Sequence, residues 1–243
     1  MASPLSVFTC LSPALLPHFH LEGCTAVVID VMRATSAMVT GLGEGVEAFR
    51  PVARLEEARQ ALAQGHLAAA ERGGLRVEGF PLGNSPRQYL KRAYAGRTIV
   101  ATTSNGTRTL HAASAAAEVR IAAFLNLQAV VDVLRVQRQP VVLVCAGWKN
   151  HFSLEDTLLA GAIAQGLAPA EAQQDDATLM ARQLYREATT DLEGALRRSS
   201  HFRRLAEHGS ADDLPFCLAR DRYPVVPLFR GGEVFLPDNV PGT

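Results

Sequence analysis

The sequence predicts an α/β protein: a layered α/β/α arrangement around a largely parallel or mixed sheet, with a helical insertion and a C-terminal β segment. Three observations predict it. Short apolar runs rich in β-branched residues alternate with longer amphipathic patterns up to about residue 145, the rhythm of strands joined by crossover helices. The runs at 25–31 (TAVVIDV) and 140–145 (PVVLVC) have almost no polar face, as strands covered on both sides require. At 243 residues, 48% hydrophobic and 20% charged, the chain can bury a sizeable core, and disorder is excluded.

The elements follow in order. After the strand at 25–31, residues 34–43 read as a helix and 46–52 as a strand. Residues 54–64 place Leu55, Ala58 and Leu62 on one face and stop at Gly65, a helix with its end signal. Residues 67–70 form a strand ending at Glu71. A Gly-rich loop, RGGLRVEGFPLGNSP, then leads to a short helix at 87–94. A strand at 97–102, a helix at 107–117, a strand at 119–123 and a helix at 127–137 precede the run at 140–145. Beyond Trp148 the texture changes: a helix at 154–165, then one or two charged helices over 175–206. Two short strand patterns in 224–236 flank Gly231-Gly232, a hairpin signal. No low-complexity linker separates domains, so 1–243 reads as one unit. Two lobes, about 1–145 and 146–243 with the site between them, are the alternative division.

Charge and cysteine usage narrow the setting. The 24 basic and 24 acidic side chains cancel, which leaves no electrostatic footprint for nucleic acid or an anionic membrane. All but Lys91 and Lys149 of the basic residues are arginines. Cys10, Cys24, Cys145 and Cys217 lie far apart with no CxxC spacing, so neither a zinc site nor a disulfide framework is indicated. The first 21 residues carry no Lys, Arg, Asp or Glu, but they lack a basic start and are interrupted by Pro4, Pro13 and Pro17. No run approaches the ~18 apolar residues of a membrane span. The expectation is a cytoplasmic protein without nucleic-acid or membrane partners. A homodimer through the GEVFL tail or the charged helices is left open.

Ligands of parallel α/β sheets bind at the carboxyl ends of strands, and four strand ends here are polar. The first is Asp30-Val31-Met32-Arg33-Ala34-Thr35-Ser36; a carboxylate there needs a metal, a cation or hydrogen bonds. The second, Thr102 to Arg108 (TTSNGTR), combines hydroxyls with the first amides of a helix, an anion cradle to which Arg108 adds a bidentate donor. The third is Glu71-Arg72-Gly73-Gly74 with Gly83-Asn84-Ser85-Pro86. The fourth is Cys145-Ala146-Gly147 with Ser153-Leu154-Glu155-Asp156. Hard carboxylate oxygens at such ends suit Mg²⁺. Each has a plain structural alternative: an Asp30–Arg33 cap, an ordinary capped turn, a flexible loop, and acidic residues complementing a helix dipole. The basic cluster Arg197, Arg198, Arg203 and Arg204 beside His201 reads as a solvated helix face. Walker A, GxSxG, GxGxxG, DxDxT and Cys-x5-Arg patterns do not occur.

Taken in order, IDVMRATS, AERGG, GNSP, TTSNGTR, CAG and SLEDTLLAG resemble the 2-phosphosulfolactate phosphatase (ComB) family. Ser200-His201, Arg204-Leu205, Asp213, Cys217, Asp221 and Val225-Val226-Pro227 extend the likeness, which covers about 25–236. Met32 stands where Leu is commoner, Ser104 for Thr and Ala70 for Gly. The resemblance implies a Mg²⁺-dependent phosphatase acting on phosphate esters of 2-hydroxycarboxylic acids. Its named reaction converts 2-phospho-3-sulfolactate to 3-sulfolactate and phosphate on the route to coenzyme M. On this reading Asp30, Arg33 and Arg108 are catalytic. Thr35, Ser36, Arg72, Asn84, Ser85, Ser104, Asn105, Gly106, Thr107 and Cys145 border the small anionic substrate. Asp30, Glu71, Glu155 and Asp156 are the metal candidates. Cys145 also reads as a packing residue, and attack by water or by Asp30 itself is equally open. A non-catalytic anion-binding α/β protein, or a degenerate phosphatase, is the competing class; a nucleotide-dependent transferase lacks any nucleotide loop.

Overall fold

The computed structural model describes residues 5–167 and 173–237. Among them, eleven strands form one sheet: β1 (Ser6–Cys10), β2 (Thr25–Ile29), β3 (Ala48–Pro51), β4 (Leu67–Arg72), β5 (Leu75–Arg76), β6 (Thr98–Thr102), β7 (Glu118–Ala122), β8 (Val141–Cys145), β9 (Gln173–Gln174), β10 (Leu228–Arg230) and β11 (Glu233–Phe235). Their spatial order is β5-β4-β6-β3-β11-β10-β7-β2-β8-β1-β9. The helices are α1 (Ala34–Gly43), α2 (Leu55–Ala63), α3 (Gly106–Ala112), α4 (Leu127–Gln137), α5 (Leu154–Leu167), α6 (Asp176–Ala188), α7 (Leu192–Arg197), α8 (Ser200–Glu207) and α9 (Asp213–Leu218).

The layering follows from strand alternation. Val27 and Ile29 of β2, with Val141, Leu143 and Cys145 of β8, face one side and pack against α4, α5 and the helices after them. Ala26 and Val28, with Val142 and Val144, face the other side and meet α1 and the inner residues of β3 and β6. Successive side chains of a strand point to opposite faces, and helices cover both, so neither face tolerates polar residues. The result is the expected α/β/α sandwich. Side-chain caps define several helix starts: Asp175 accepts from the Thr178 amide at 2.9 Å, Asp191 from Gly194 at 2.8 Å and Ser199 from Phe202 at 3.0 Å.

The C-terminal hairpin lies inside the sheet. β7, β2, β8, β1 and β9 run parallel to one another, as do β3, β6 and β4. Hairpin β10–β11, turning through Gly231 (φ 61) and Gly232 (φ 83), joins the two blocks by antiparallel pairings with β7 and β3. The blocks therefore run in opposite senses along the sheet. Six steps separate β2 from β4, and the usual twist turns a sheet by roughly 120–150° over that span. The ends of β2 and β6 nevertheless meet: Gly106, beyond β6, lies against Asp30, beyond β2.

Several details depart from the sequence expectation. The uncharged N-terminal stretch supplies β1, paired with β8, because a strand this short gives little periodic signal. The charged segment over 175–206 breaks into α6, α7 and most of α8, separated at caps Asp191 and Ser199. The expected helix at 87–94 is a 3-10 turn over Pro86–Tyr89. The short strand β9 (Gln173–Gln174) adds an edge to the sheet beside β1. Among the described residues, no helix is long and apolar enough to cross a membrane.

Helices α5 and α6 pack backbone to backbone at Gly161, where an added Cβ would collide with the Ala181 carbonyl. Gly161→Ala is expected to destabilise the protein by about 1–3 kcal/mol. Chemical denaturation measures this, and an unchanged midpoint would contradict the close crossing.

Candidate active site

Asp30 is the first residue beyond β2, and the turn into α1 is locked around it. Its Oδ1 accepts from the Ala34 amide at 3.2 Å. Thr35 Oγ1 donates to the Asp30 carbonyl at 2.9 Å and accepts from its amide at 3.1 Å, while Ser36 Oγ donates to the Val31 carbonyl at 2.7 Å. At Gly106 a Cβ would come within 2.8 Å of Asp30 Oδ2 and 2.6 Å of Ala34 Cβ, so only glycine lets α3 begin there. Burial pushes the Asp30 carboxyl up to about 6; the Ala34 amide and His201 oppose the shift, and Glu71 and Glu155 reinforce it.

Glu71, near the end of β4, is buried. It accepts from the Gly74 amide and, at 3.3 Å each, from the amide and hydroxyl of Ser104. Gly73 and Gly74, at φ 64 and 91, supply the left-handed turn that returns the backbone to the carboxylate. Asp156, in the first turn of α5, accepts from the amides of Val31 at 2.9 Å and Gly147 at 3.0 Å. It ties the ends of β2 and β8 together. Burial, then the charges of Glu155 and Asp30, raise its carboxyl well above the ordinary range.

Glu155 is buried against His201 of α8, with Oε1 paired to the ring's Nδ1. Burial alone would raise this carboxyl, but the hydrogen bond and charge of His201 outweigh it and the net shift is downward. Among the described residues, Glu155 Oε2 has no hydrogen-bond partner. His201 is 8% exposed. Its ring lies against Trp148 at 5.4 Å between centroids, and the Arg204 guanidinium lies 4.8 Å from the same indole. With Nδ1 engaged, Nε2 is the nitrogen left for other chemistry. Asp30, Glu71, Asn84, Asn105, Trp148 and His201 share a chamber of about 10 Å³, room for roughly one water or ion.

Arg33 forms one wall of this chamber. Its guanidinium donates to Asp213 Oδ2 at 2.6 Å, Ser210 Oγ at 3.0 Å and the Gly74 carbonyl at 2.7 Å. Ser85 Oγ holds the other Asp213 oxygen at 2.7 Å. A family model described as 2-phosphosulpholactate phosphatase matches residues 10–232. The chain belongs to that family. Its curated relatives include three proteins named "Probable 2-phosphosulfolactate phosphatase". That of Thermotoga maritima is 39% identical, over 92% of this chain and 97% of its own. Those of Symbiobacterium thermophilum and a Synechococcus are 38% and 42% identical, each over 90% of this chain and over 97% and 94% of their own.

Within this family member the structure brings Asp30, Arg33, Glu71, Asn84 and Asn105 to one chamber. Ser104 holds Glu71, and Ser85 holds Asp213. Thr35, Ser36, Gly106 and Thr107 act on the backbone; the Thr107 amide donates to Thr103 Oγ1 at 3.1 Å. Arg72 turns back on the Glu71 carbonyl at 2.7 Å and Thr102 Oγ1 at 2.9 Å. Three expectations meet a different geometry. Arg108 is exposed on α3 between buried Thr107 and Thr109 and does not line the chamber. Cys145 is wholly buried among apolar side chains, and burial raises its thiol well above the ordinary value, as for a packing residue. Asp156 already has both oxygens on backbone amides.

His201 is the residue that helical periodicity assigns to a solvated face. Its signal is the Ser200-His201 element of the family likeness, since periodicity cannot show a partner 46 residues away. The chain has one tryptophan, so Trp148 reports this packing directly. His201→Ala is expected to shift Trp148 emission to longer wavelength as water reaches the indole. An unchanged spectrum would contradict the stacked geometry.

Proposed function

We propose that the chain hydrolyses the phosphate ester of a small 2-hydroxycarboxylic acid, converting 2-phospho-3-sulfolactate to 3-sulfolactate and phosphate with Mg²⁺. The supporting observation is a family member's acidic chamber at converging strand ends, with a carboxylate-held histidine in its wall. Glu155 fixes the tautomer and orientation of His201, the role a carboxylate plays behind a catalytic imidazole. Water forms the new P–O bond as the ester P–O bond breaks; His201 delivers a proton from Nε2 to the departing ester oxygen, giving the free hydroxyl, and one proton of the attacking water restores the imidazole while the other stays on the phosphate. Asn84, Asn105 and the amides opening α3 offer neutral donors to the phosphoryl oxygens.

The residues present fit a divalent cation. Among the described residues, no three His, Cys, Asp or Glu side chains stand close enough to cage a metal. Mg²⁺ seldom needs such a cage, because it keeps waters and typically uses one or two carboxylates plus substrate phosphate. Asp30 would hold it, with Glu71 or the unpartnered Glu155 Oε2 as the second carboxylate, while Asp156 has both oxygens on backbone amides. Asp30 is the fitting donor: buried, with a single backbone donor, and raised by burial. When bound, Mg²⁺ supplies charge neutralisation at the phosphoryl oxygens.

Phosphate release from 2-phosphosulfolactate is expected with Mg²⁺ and is expected to stop in EDTA. His201→Asn, with its fold verified, should lower kcat by about 10²–10⁴. Binding of the ester without phosphate release would identify an anion sensor instead. Full activity in His201→Asn would remove the histidine from proton transfer.

A further inference from the structure

The inner chamber, at about 10 Å³, is far smaller than a three-carbon phosphate ester. A cleft of about 630 Å³ adjoins it and shares Arg33, Gly74 and Asn84 as a common wall. The two spaces have opposite polarity. The inner one carries the Asp30 and Glu71 carboxylates. In the outer one, four cationic side chains, Arg33, Arg76, Arg87 and Lys91, face only Asp212 and Asp213. Arg33 is spent on Asp213 at 2.6 Å, and Arg87 lies 3.6 Å from Asp212. Among the described residues, Arg76 and Lys91 form no ion pair. Arg76 donates only to the Pro81 carbonyl, at 3.2 Å, with its stem against Gly83.

We infer that the outer cleft is the subsite for the sulfonate of the substrate, and that Arg76 and Lys91 supply its charge. This rests on the phosphatase reading above and adds where selectivity resides. A phosphate ester that also carries a carboxylate and a sulfonate brings more negative charge than the inner chamber offsets, since Arg33 is already paired with Asp213 and Arg108 lines neither space. The unpaired cations one wall away are the groups that offset it. Removing a charge-assisted hydrogen bond at such a site weakens recognition by about tenfold or more.

The test compares kcat/KM for phosphosulfolactate with that for phospholactate, which lacks the sulfonate. In the Arg76→Gln/Lys91→Gln double variant the preference for the sulfonated ester is expected to fall about tenfold or more. Arg59→Gln/Arg138→Gln removes the same charge at exposed positions outside the cleft and is expected to keep the wild-type ratio. A wild-type ratio near one, or a ratio unchanged in the cleft variant, overturns the subsite while phosphate release leaves the reaction intact. If the wild type releases phosphate from neither ester, the phosphatase reading fails, and calorimetry with 3-sulfolactate decides the subsite. Binding about tenfold weaker in the cleft variant supports it; equal binding, or none by the wild type, overturns it.

Discussion

A carboxylate removed from water needs donors or a cation, and at the junction of β2, β4 and α5 four of them are buried together. Asp156 has two amides, Glu71 has the Gly74 amide and Ser104, and Glu155 has His201 on Oε1 but no hydrogen-bond partner on Oε2 among the described residues. Asp30 has one amide at 3.2 Å, with Gly106 pressed against its second oxygen. Burial of this under-compensated charge is the constraint around which the neighbouring elements are arranged. It explains why Gly106 must lack a side chain and why Thr35 and Ser36 turn their hydroxyls inward to hold the turn.

The same constraint separates two kinds of charge. Acidic groups collect where β2 and β4 end, and the unpaired cations sit one wall further out, at Arg76 and Lys91. A ligand with a phosphate and a second anion would span that gradient. Arg33 stands at the boundary as a structural cation, joining α9 to the Gly74 turn through Asp213. The balanced net charge of the chain thus conceals an ordered local separation.

The sequence makes the scaffold more legible than the site. Strands β2 and β8 declare themselves because both faces of each are covered and their residues are continuously apolar. Asp30, Glu71 and the SNGT turn are legible because polar residues at the end of such strands demand compensation. What escapes is long-range pairing. Arg33 is legible as a cation at a strand end, but its partner Asp213, 180 residues on, is not. His201 reads as surface until Glu155 and Trp148 enclose it, and no local pattern shows that Arg108 is exposed beside buried Thr107 and Thr109. The hairpin is evident from Gly231-Gly232, but its place between two opposed parallel blocks depends on pairings with β7 and β3 that no local pattern encodes.

Ionising Asp30 carries a cost that a bound divalent cation, on the proposed reading, would relieve. A carboxyl raised to about 6 in the folded protein, above roughly 3.9 when unfolded, costs stability when ionised. The cost is absent below the unfolded value and complete above the folded one. The direct measurement is the melting temperature at about pH 8, with and without Mg²⁺, for the wild type and Asp30→Asn. Metal-free Asp30→Asn is expected to melt a few degrees above the wild type, and Mg²⁺ is expected to raise the wild type but not the variant. A variant that melts lower, together with a wild type indifferent to Mg²⁺, would contradict this role for Asp30.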